Sequence, residues 1–363
     1  MTIRVGLIGL GEVAQLMHLP LLADDPRFAI EAVMDVAPSL VAHVADRYNV
    51  RRRYGRAEDL LADEALDAVF ILSPDHVHAM HLGLAIAADK HVFIEKPVCL
   101  AEPDLQAAIA AAQGTRRTIF VGYMRRYARG FHALKARMPA AGEIVYVRVR
   151  DLICEGPFFI RQTRPVFRPD DVPADIIAES RRVTDRMLRS VVGADASPEE
   201  IRAYQVLTGL SSHSLSAMRE LLGPPRRVIA ARQNRGENVV ALLDYGRFTA
   251  IYEALIDNVA RFDARIEVIA DRQQLVLNYD TPYVRNLPTR LEITRSSDTE
   301  TGTEIVGPIY EDPFRIELDA FHDCVEKGTA PKTSLRDSID DLRLFADIAR
   351  AFRSGADRPP SHA

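Results

Sequence analysis

Cysteine is sparse in this chain, positive charge is not in excess, and no apolar run is long. The thiols are Cys99, Cys154 and Cys324, an odd number, far apart and without a C-x-x-C pair, so neither a disulfide framework nor a zinc knuckle is signalled. Such usage suits a reducing cytoplasm. Against 46 Lys plus Arg stand 51 Asp plus Glu, a net charge of −5, which argues against a dedicated nucleic-acid binder, since that needs a basic surface. The run Arg51-Arg52-Arg53 reads as a solvated face. Apolar stretches such as Ala68–Leu72 fall far short of the roughly 20 residues that cross a bilayer. The N-terminus has no charged leader followed by an A-x-A site, and Gly6, Gly9 and Gly11 break it up, so no signal peptide is expected. The expectation is a cytoplasmic protein with neither nucleic-acid nor membrane partners.

What is present points to packed domains: 47 % apolar and 27 % charged residues over 363 positions, more than one core usually serves. From Ile3 to about Val121, short β-branched runs alternate with amphipathic stretches, the pattern of βαβ units. The runs are Ile3–Ile8, Ala29–Met34, Ala68–Leu72, His91–Ile94 and Thr118–Val121. Beyond Gly122 the texture changes to a basic helix over Arg126–Met138, a long strand over Ile144–Ile153, and a helical region over 170–222. Ser197-Pro198-Glu199-Glu200 within that region is a strong helix start. Six strand-like runs between Val228 and Thr294 then suggest an antiparallel sheet. The fold class expected is α/β: an N-terminal doubly wound parallel sheet of Rossmann type at 1–123, then an α+β domain at 124–363. This second domain has an open, mostly antiparallel sheet, a helical insertion at about 170–222, and late helices (Pro313–Lys327, Leu335–Ser354) packing back on the body. The tail from Gly355 reads as frayed.

Gly9-Leu10-Gly11-Glu12-Val13-Ala14 follows the first run and opens the first helix, giving G-x-G-x-x-A in the context that makes it meaningful. Gly9 permits a tight turn, Gly11 lets a pyrophosphate approach the backbone, and Ala14 allows close packing of helix on strand. Asp35 ends the second run 24 positions after Gly11, where a carboxylate can accept bonds from the adenosine ribose hydroxyls and repel a 2′-phosphate. Val36 and Ala37 offer that phosphate nothing, so the reading is NAD rather than NADP. Asp35 could also cap the helix beginning near Ser39, and the two roles can coexist. The run His91–Ile94 leads straight into Glu95-Lys96-Pro97 at the edge where doubly wound sheets bind ligands. A partly dehydrated lysine there can have a lowered pKa and join a proton relay; a solvated loop lysine is the alternative.

The ordered set of Gly9–Ala14, Ser73-Pro74-Asp75-His76-Val77-His78, Lys90 to Pro97, and Val121-Gly122-Tyr123-Met124-Arg125-Arg126-Tyr127 resembles the Gfo/Idh/MocA oxidoreductases, with the Met-Arg-Arg-Tyr stretch similar to inositol dehydrogenases. A looser likeness continues to Phe314–Phe321. The resemblance implies a nicotinamide nucleotide and hydride transfer at a carbinol carbon of a sugar or cyclitol. It further implies that Gly9, Gly11, Glu12, Val13 and Asp35 hold the nucleotide, and that Ser73, Pro74 and His78 line its nicotinamide half. Glu95 and Lys96 would lie beside the reacting carbon, and Arg125 would face nicotinamide or substrate. His76, His78 and His81 do not converge as ligands on one helix, so no metal is expected.

Many members of that family carry D-x-x-x-H-x-x-D in the second domain. Here His213 is kept and both acids are gone, to Gly209 and Ser216. His213 still suits proton exchange near neutral pH, but Ser212, Ser216 or a backbone carbonyl would have to orient it. Arg161, Arg164 and Arg168, among Phe158, Phe159 and Phe167, hint at an anionic substrate group, although surface arginines read equally well. The function expected is NAD(H)-dependent oxidation of a secondary alcohol of a sugar, cyclitol or polyol, or reduction of the ketosugar. Lys96 and His213 would be catalytic, and Arg125, Ser212 and Arg161 would join them in binding substrate between the two domains. A homodimer or homotetramer is the family-level expectation. Two other readings remain: tightly held NAD used transiently for elimination or hydrolysis of a sugar derivative, and a non-catalytic NAD-binding sensor.

Overall fold

The computed structural model describes residues 2–354, and the tail from Gly355 lies outside the described residues. The chain gathers into two compact units: Met1–Tyr123 with Arg164–Leu188 and Glu317–Ile339, and Met124–Thr163 with Arg189–Ile316 and Asp340–Ala363.

The first unit holds a six-stranded parallel sheet, β1 (Ile3–Ile8), β2 (Phe28–Met34), β3 (Arg52–Tyr54), β4 (Ala68–Ile71), β5 (His91–Glu95) and β6 (Ile119–Gly122), in the order β3-β2-β1-β4-β5-β6. β4 is buried throughout and β1 everywhere but at the exposed Arg4, as near-continuous apolar runs require in a parallel sheet. A π-helical turn (Ala14–His18) runs into α1 (Leu19–Ala23); the helices α2 (Pro38–Arg47), α3 (Ala57–Leu61), α4 (Asp75–Ala87) and α5 (Glu102–Ala111) complete the crossovers. Phe70, Phe93 and Phe120 line up on adjacent strands, and Phe321 stands edge-on to all three with centroids 5.5, 5.7 and 5.8 Å away. Burying such a phenylalanine contributes about 1.5–3 kcal/mol, which ties a residue late in the chain to this unit.

In the second unit, α6 (Met124–Tyr127) and α7 (Arg129–Lys135) replace the single helix expected over 126–138. The interruption falls at Ala128, whose backbone is extended at φ −56°, ψ 134°. The eight-stranded sheet is built from β7 (Ile144–Cys154), β8 (Arg227–Asn234), β9 (Asn238–Asp244), β10 (Thr249–Asp257), β11 (Phe262–Ala270), β12 (Gln273–Tyr279), β13 (Thr289–Ser296) and β14 (Thr301–Ile309), in the order β14-β13-β12-β11-β7-β10-β9-β8. Only β7 and β10 pair in parallel. The remaining helices of the chain are α8 (Gly156–Thr163), α9 (Ala174–Val192), α10 (Pro198–Val206), a π-helical turn (Leu207–Ser211), α11 (Ser212–Leu222), α12 (Pro313–Lys327) and α13 (Ser338–Ser354), of which most of α9 and α12 belongs to the first unit. The start of α10 is the capping box its sequence announces, with the Ser197 hydroxyl accepting from Glu200 N and the Glu200 carboxylate accepting from Ser197 N. Two strands go beyond the sequence reading. Arg52–Tyr54 is an edge strand of the first sheet rather than merely a solvated basic face, and Thr301–Ile309 forms the far edge of the second. Among the described residues no helix is long and apolar enough to cross a membrane.

Candidate active site

In the first sheet the strand order reverses between β1 and β4, and open α/β sheets bind ligands at the carboxyl ends of strands on either side of such a switch. Gly9, just past β1, has φ +91°, and a Cβ there would sit 2.6 Å from Ser73 N and 2.7 Å from Leu72 C, so the turn closes only with glycine. Gly11 differs. Its φ is not in the left-handed region, and an added Cβ would meet nothing within 4 Å, so no protein atom requires a glycine there. A pyrophosphate lying against the backbone would require it, and the start of a helix, with Glu12 and Val13 half-buried in its first turn, faces that space. Asp35 lies at the end of β2 and is half-buried. Its two oxygens accept from Leu10 N at 2.8 Å and Ala37 N at 3.1 Å, locking the first turn to the second. Each oxygen keeps a lone pair, so the same carboxylate can accept a ribose hydroxyl. Asp35 does not cap the following helix, whose N-cap is Ala37 without a side-chain bond. These residues fit a dinucleotide.

Glu95 ends β5 and is buried. His18 Nε2 lies 2.8 Å from its Oε1, and Lys96 N donates to Oε2 at 3.2 Å. Burial alone would raise the Glu95 carboxyl; the His18 hydrogen bond and the Lys96 charge outweigh it and hold it below the usual carboxylate range. His18 itself packs against the stacked rings of Phe70 and Phe93, where the π-helical turn delivers it. Lys96 is half-buried at the strand end. His78, fully buried on α4, spans two loops: Nδ1 lies 2.7 Å from Pro97 O, and Nε2 lies 2.6 Å from Ser73 O. His81 Nδ1 is 2.9 Å from Ser73 Oγ, and burial, aided by neighbouring His78, lowers its pKa to about 4. The S-P-x-H-x-H spacing thus fastens the loops after β4 and β5 to one helix, with Ser73 half-buried and Pro74 exposed.

In the second unit His213 is half-buried in the first turn of α11, directly after the π-helical turn. Gly209 lies within that turn, and an added Cβ there would meet nothing within 4 Å. Ser216 Oγ donates to the His213 carbonyl at 3.3 Å, which engages the backbone rather than the ring. Ser212 Oγ is buried without a hydrogen-bond partner among the described residues. The neighbouring Ser214 belongs to an ion cluster: Arg125 Nη1 donates to Asp151 Oδ1 at 2.6 Å and to Ser214 Oγ, Ser214 Oγ donates to Asp151 Oδ1 at 3.0 Å, and Tyr252 OH donates to Asp151 Oδ2 at 3.0 Å. Arg125 is 3 % exposed and Asp151 0 %, so Arg125 is no solvated arginine. Its guanidinium lies 5.0 Å from the ring of Tyr279, and burial pushes the Tyr252 and Tyr279 phenols up.

Two of the three candidate arginines are engaged separately. Arg161 is exposed on α8 with Nε on Pro157 O at 3.1 Å, while Arg168 pairs with Glu12 at 2.9 Å in the first unit. The segment around Arg168 is what the sequence hid. Gln15 Nε2 donates to Phe167 O at 3.0 Å, Phe167 N donates to Gln15 Oε1 at 2.9 Å, and the Phe167 ring stacks on His43 at 4.4 Å. Asp171 then accepts from Ser39 N at 2.8 Å and Ser39 Oγ at 2.6 Å. His18 was also missed; its one signal was a histidine in an otherwise apolar helical run.

A family model described as an oxidoreductase family with an NAD-binding Rossmann fold, Gfo/Idh/MocA, matches residues 3–123. Oxidoreductase YrbE of Bacillus subtilis is 35 % identical over 133 residues, 37 % of this chain and 39 % of that protein. Inositol 2-dehydrogenase of Salmonella typhimurium is 32 % identical over 138 residues, 37 % and 41 % of the two chains. These matches therefore span about two fifths of the relatives' length. D-xylose 1-dehydrogenase (NADP(+)) 2 of Haloferax volcanii is 27 % identical over 320 residues, 86 % of each chain. A 3-ketoreductase from Actinomadura kijaniata, solved with TDP-benzene and NADP, shares the fold at TM-score 0.73 and 19 % identity over 97 % of this chain and 98 % of its own. Over residues 3–123, a third of the chain, the sequence is thus similar to the Gfo/Idh/MocA oxidoreductases with their NAD-binding Rossmann fold.

Proposed function

We propose that the protein is an NAD(H)-dependent oxidoreductase that interconverts a secondary alcohol and a ketone on a sugar, cyclitol or related polyol. The observation that carries this reading is the space at Gly11, which nothing in the protein explains, beside a carboxylate pinned between the ends of β1 and β2. Gly9, Gly11, Glu12, Val13 and Asp35 would hold the dinucleotide, and Ser73, Pro74, His78, Glu95, Lys96 and Arg125 are proposed around its nicotinamide half. When bound, the dinucleotide supplies or accepts the hydride. Asp35 followed by Val36 and Ala37 favours NAD. The inositol and xylose dehydrogenases among the relatives support a polyhydroxy substrate.

Lys96 is proposed as the proton-handling group of the first unit. Glu95, ionised by its bond from His18, accepts from the Lys96 amide and so fixes the backbone from which that ammonium extends. His213 is proposed as the proton-exchanging group of the second unit, with Ser212, Arg125 and Arg161 as substrate contacts. The second unit is proposed as the substrate-binding and oligomer-forming part, in a dimer or tetramer within the cytoplasm.

The test is a panel of polyols and ketosugars followed at the NADH absorbance band, run on the natural protein and on Lys96→Ala. A turned-over substrate is expected, with Lys96→Ala slower by about 10²–10⁴-fold, the range of one general acid-base group. Dinucleotide affinity is expected to stay within about threefold, a change of under 1 kcal/mol. Equal rates in the two proteins would refute the role of Lys96.

A further inference from the structure

The carboxylate at the end of β2 is not the only one at the second turn of the first sheet. The chain passes Asp35, Val36 and Ala37 into α2, where Pro38 has no amide hydrogen and Ala37 N is already given to Asp35. The first helix amide left over is that of Ser39. A helix N-terminus attracts an anion, and an anionic substituent on a ribose held by Asp35 would settle there. That place is taken. Asp171, 132 residues downstream of Ser39, accepts from Ser39 N at 2.8 Å and from Ser39 Oγ at 2.6 Å, acting as the cap that Ala37 cannot be. The segment carrying Asp171 is docked independently, through the paired Gln15–Phe167 bonds, the His43–Phe167 stack and the Arg168–Glu12 ion pair. Glu12 thereby occupies the nearby Arg168.

We propose that Asp171 is a specificity-determining residue: a second carboxylate, supplied from a distant segment of the same unit, that excludes the 2′-phosphate of NADP and so selects NAD. This rests on the reading of the first turns as a dinucleotide site. A phosphate monoester is close to doubly ionised at neutral pH, and it would meet Asp171 on the donors it needs, with Asp35 beside it. The Ser39 bonds also hold the Asp171 carboxyl below its usual range, keeping it charged. The pair is exposed, so it does little for stability, and its effect on an anionic ligand falls as salt rises.

The test is the ratio of NADPH to NADH dissociation constants, measured by fluorescence titration for the natural protein, Asp171→Asn and Asp171→Lys. Asparagine keeps an acceptor for Ser39, so the segment stays docked while the charge goes. Removing one like charge at contact range is expected to narrow the ratio about tenfold, and reversing it about a hundredfold. Raising ionic strength should narrow the ratio for the natural protein more than for Asp171→Asn. Ratios within about twofold of the natural protein in both variants, a difference of some 0.4 kcal/mol, would overturn the role of Asp171 while leaving the dinucleotide site intact. A natural protein that binds neither nucleotide would overturn the site reading and this inference together; one that prefers NADPH would overturn the NAD preference and the selector.

Discussion

Two sets of charged side chains, one in each unit, are held in opposite ways. In the first, Asp35, Glu12, Asp171 and Lys96 stand at strand and helix ends, exposed or half-buried; Asp35 and Asp171 accept from backbone amides, and Glu12 pairs with Arg168. In the second, Arg125 with Asp151 and Arg219 with Asp341 form two buried ion pairs. Parallel strands that end together leave a rim of free backbone donors, so charge there is available to a ligand. The two buried pairs of the second unit join segments distant in sequence.

The contrast is broken most forcefully at Arg125. Arg125→Met leaves Asp151 fully buried without its cation, which costs about 3–5 kcal/mol. Melting of that variant should fall by roughly 10 °C, and an unchanged midpoint would show that the cluster is not structural.

A smaller effect sits in the first unit. His81 is held neutral by burial, with its pKa moved from 6.5 down to about 4. Between those values the unfolded chain binds more protons, so stability rises with pH across the window. It is complete above about pH 6.5 and is lost as pH falls through about 4. The full effect is on the order of 3 kcal/mol. His81→Asn should flatten that part of a denaturation-versus-pH curve, and an unaltered slope would assign it elsewhere. Glu95 acts with the same sign at lower pH, its contribution present above about 4.5.

The smallest effect tests the missing acid. Gly209→Asp adds a side chain where a Cβ meets nothing, four positions before His213. A carboxylate near an imidazole raises its pKa, so the acidic limb of the pH-rate profile should move up by about one pH unit. No movement would mean that position 209 does not address the ring.

The first sheet was legible nearly to the residue, because buried parallel strands read as short apolar runs and the glycine motif sits between the first of them and a helix. The edge strands were not. Arg52–Tyr54 is too short to show a pattern, and Thr301–Ile309 has almost no buried position, so neither carries the alternation that reveals a strand. The positions of Lys96, Asp35 and Gly9 at strand ends could be read because each closely follows an apolar run. His18, Gln15, Phe167 and Asp171 could not: their partners lie 77, 152, 152 and 132 residues away, and nothing local records that. The burial of Arg125 was equally silent, since Met-Arg-Arg-Tyr gives no sign that an Asp151 awaits it.

The central claim is that a dinucleotide lies on the turn from Gly9 to Gly11, and NADH titration of Gly11→Ala beside its melting curve tests it most directly. The account predicts a protein that melts as the natural one does, because the new methyl touches no protein atom, yet binds NADH at least about tenfold more weakly, a loss of about 1.4 kcal/mol. Natural affinity in Gly11→Ala would contradict it.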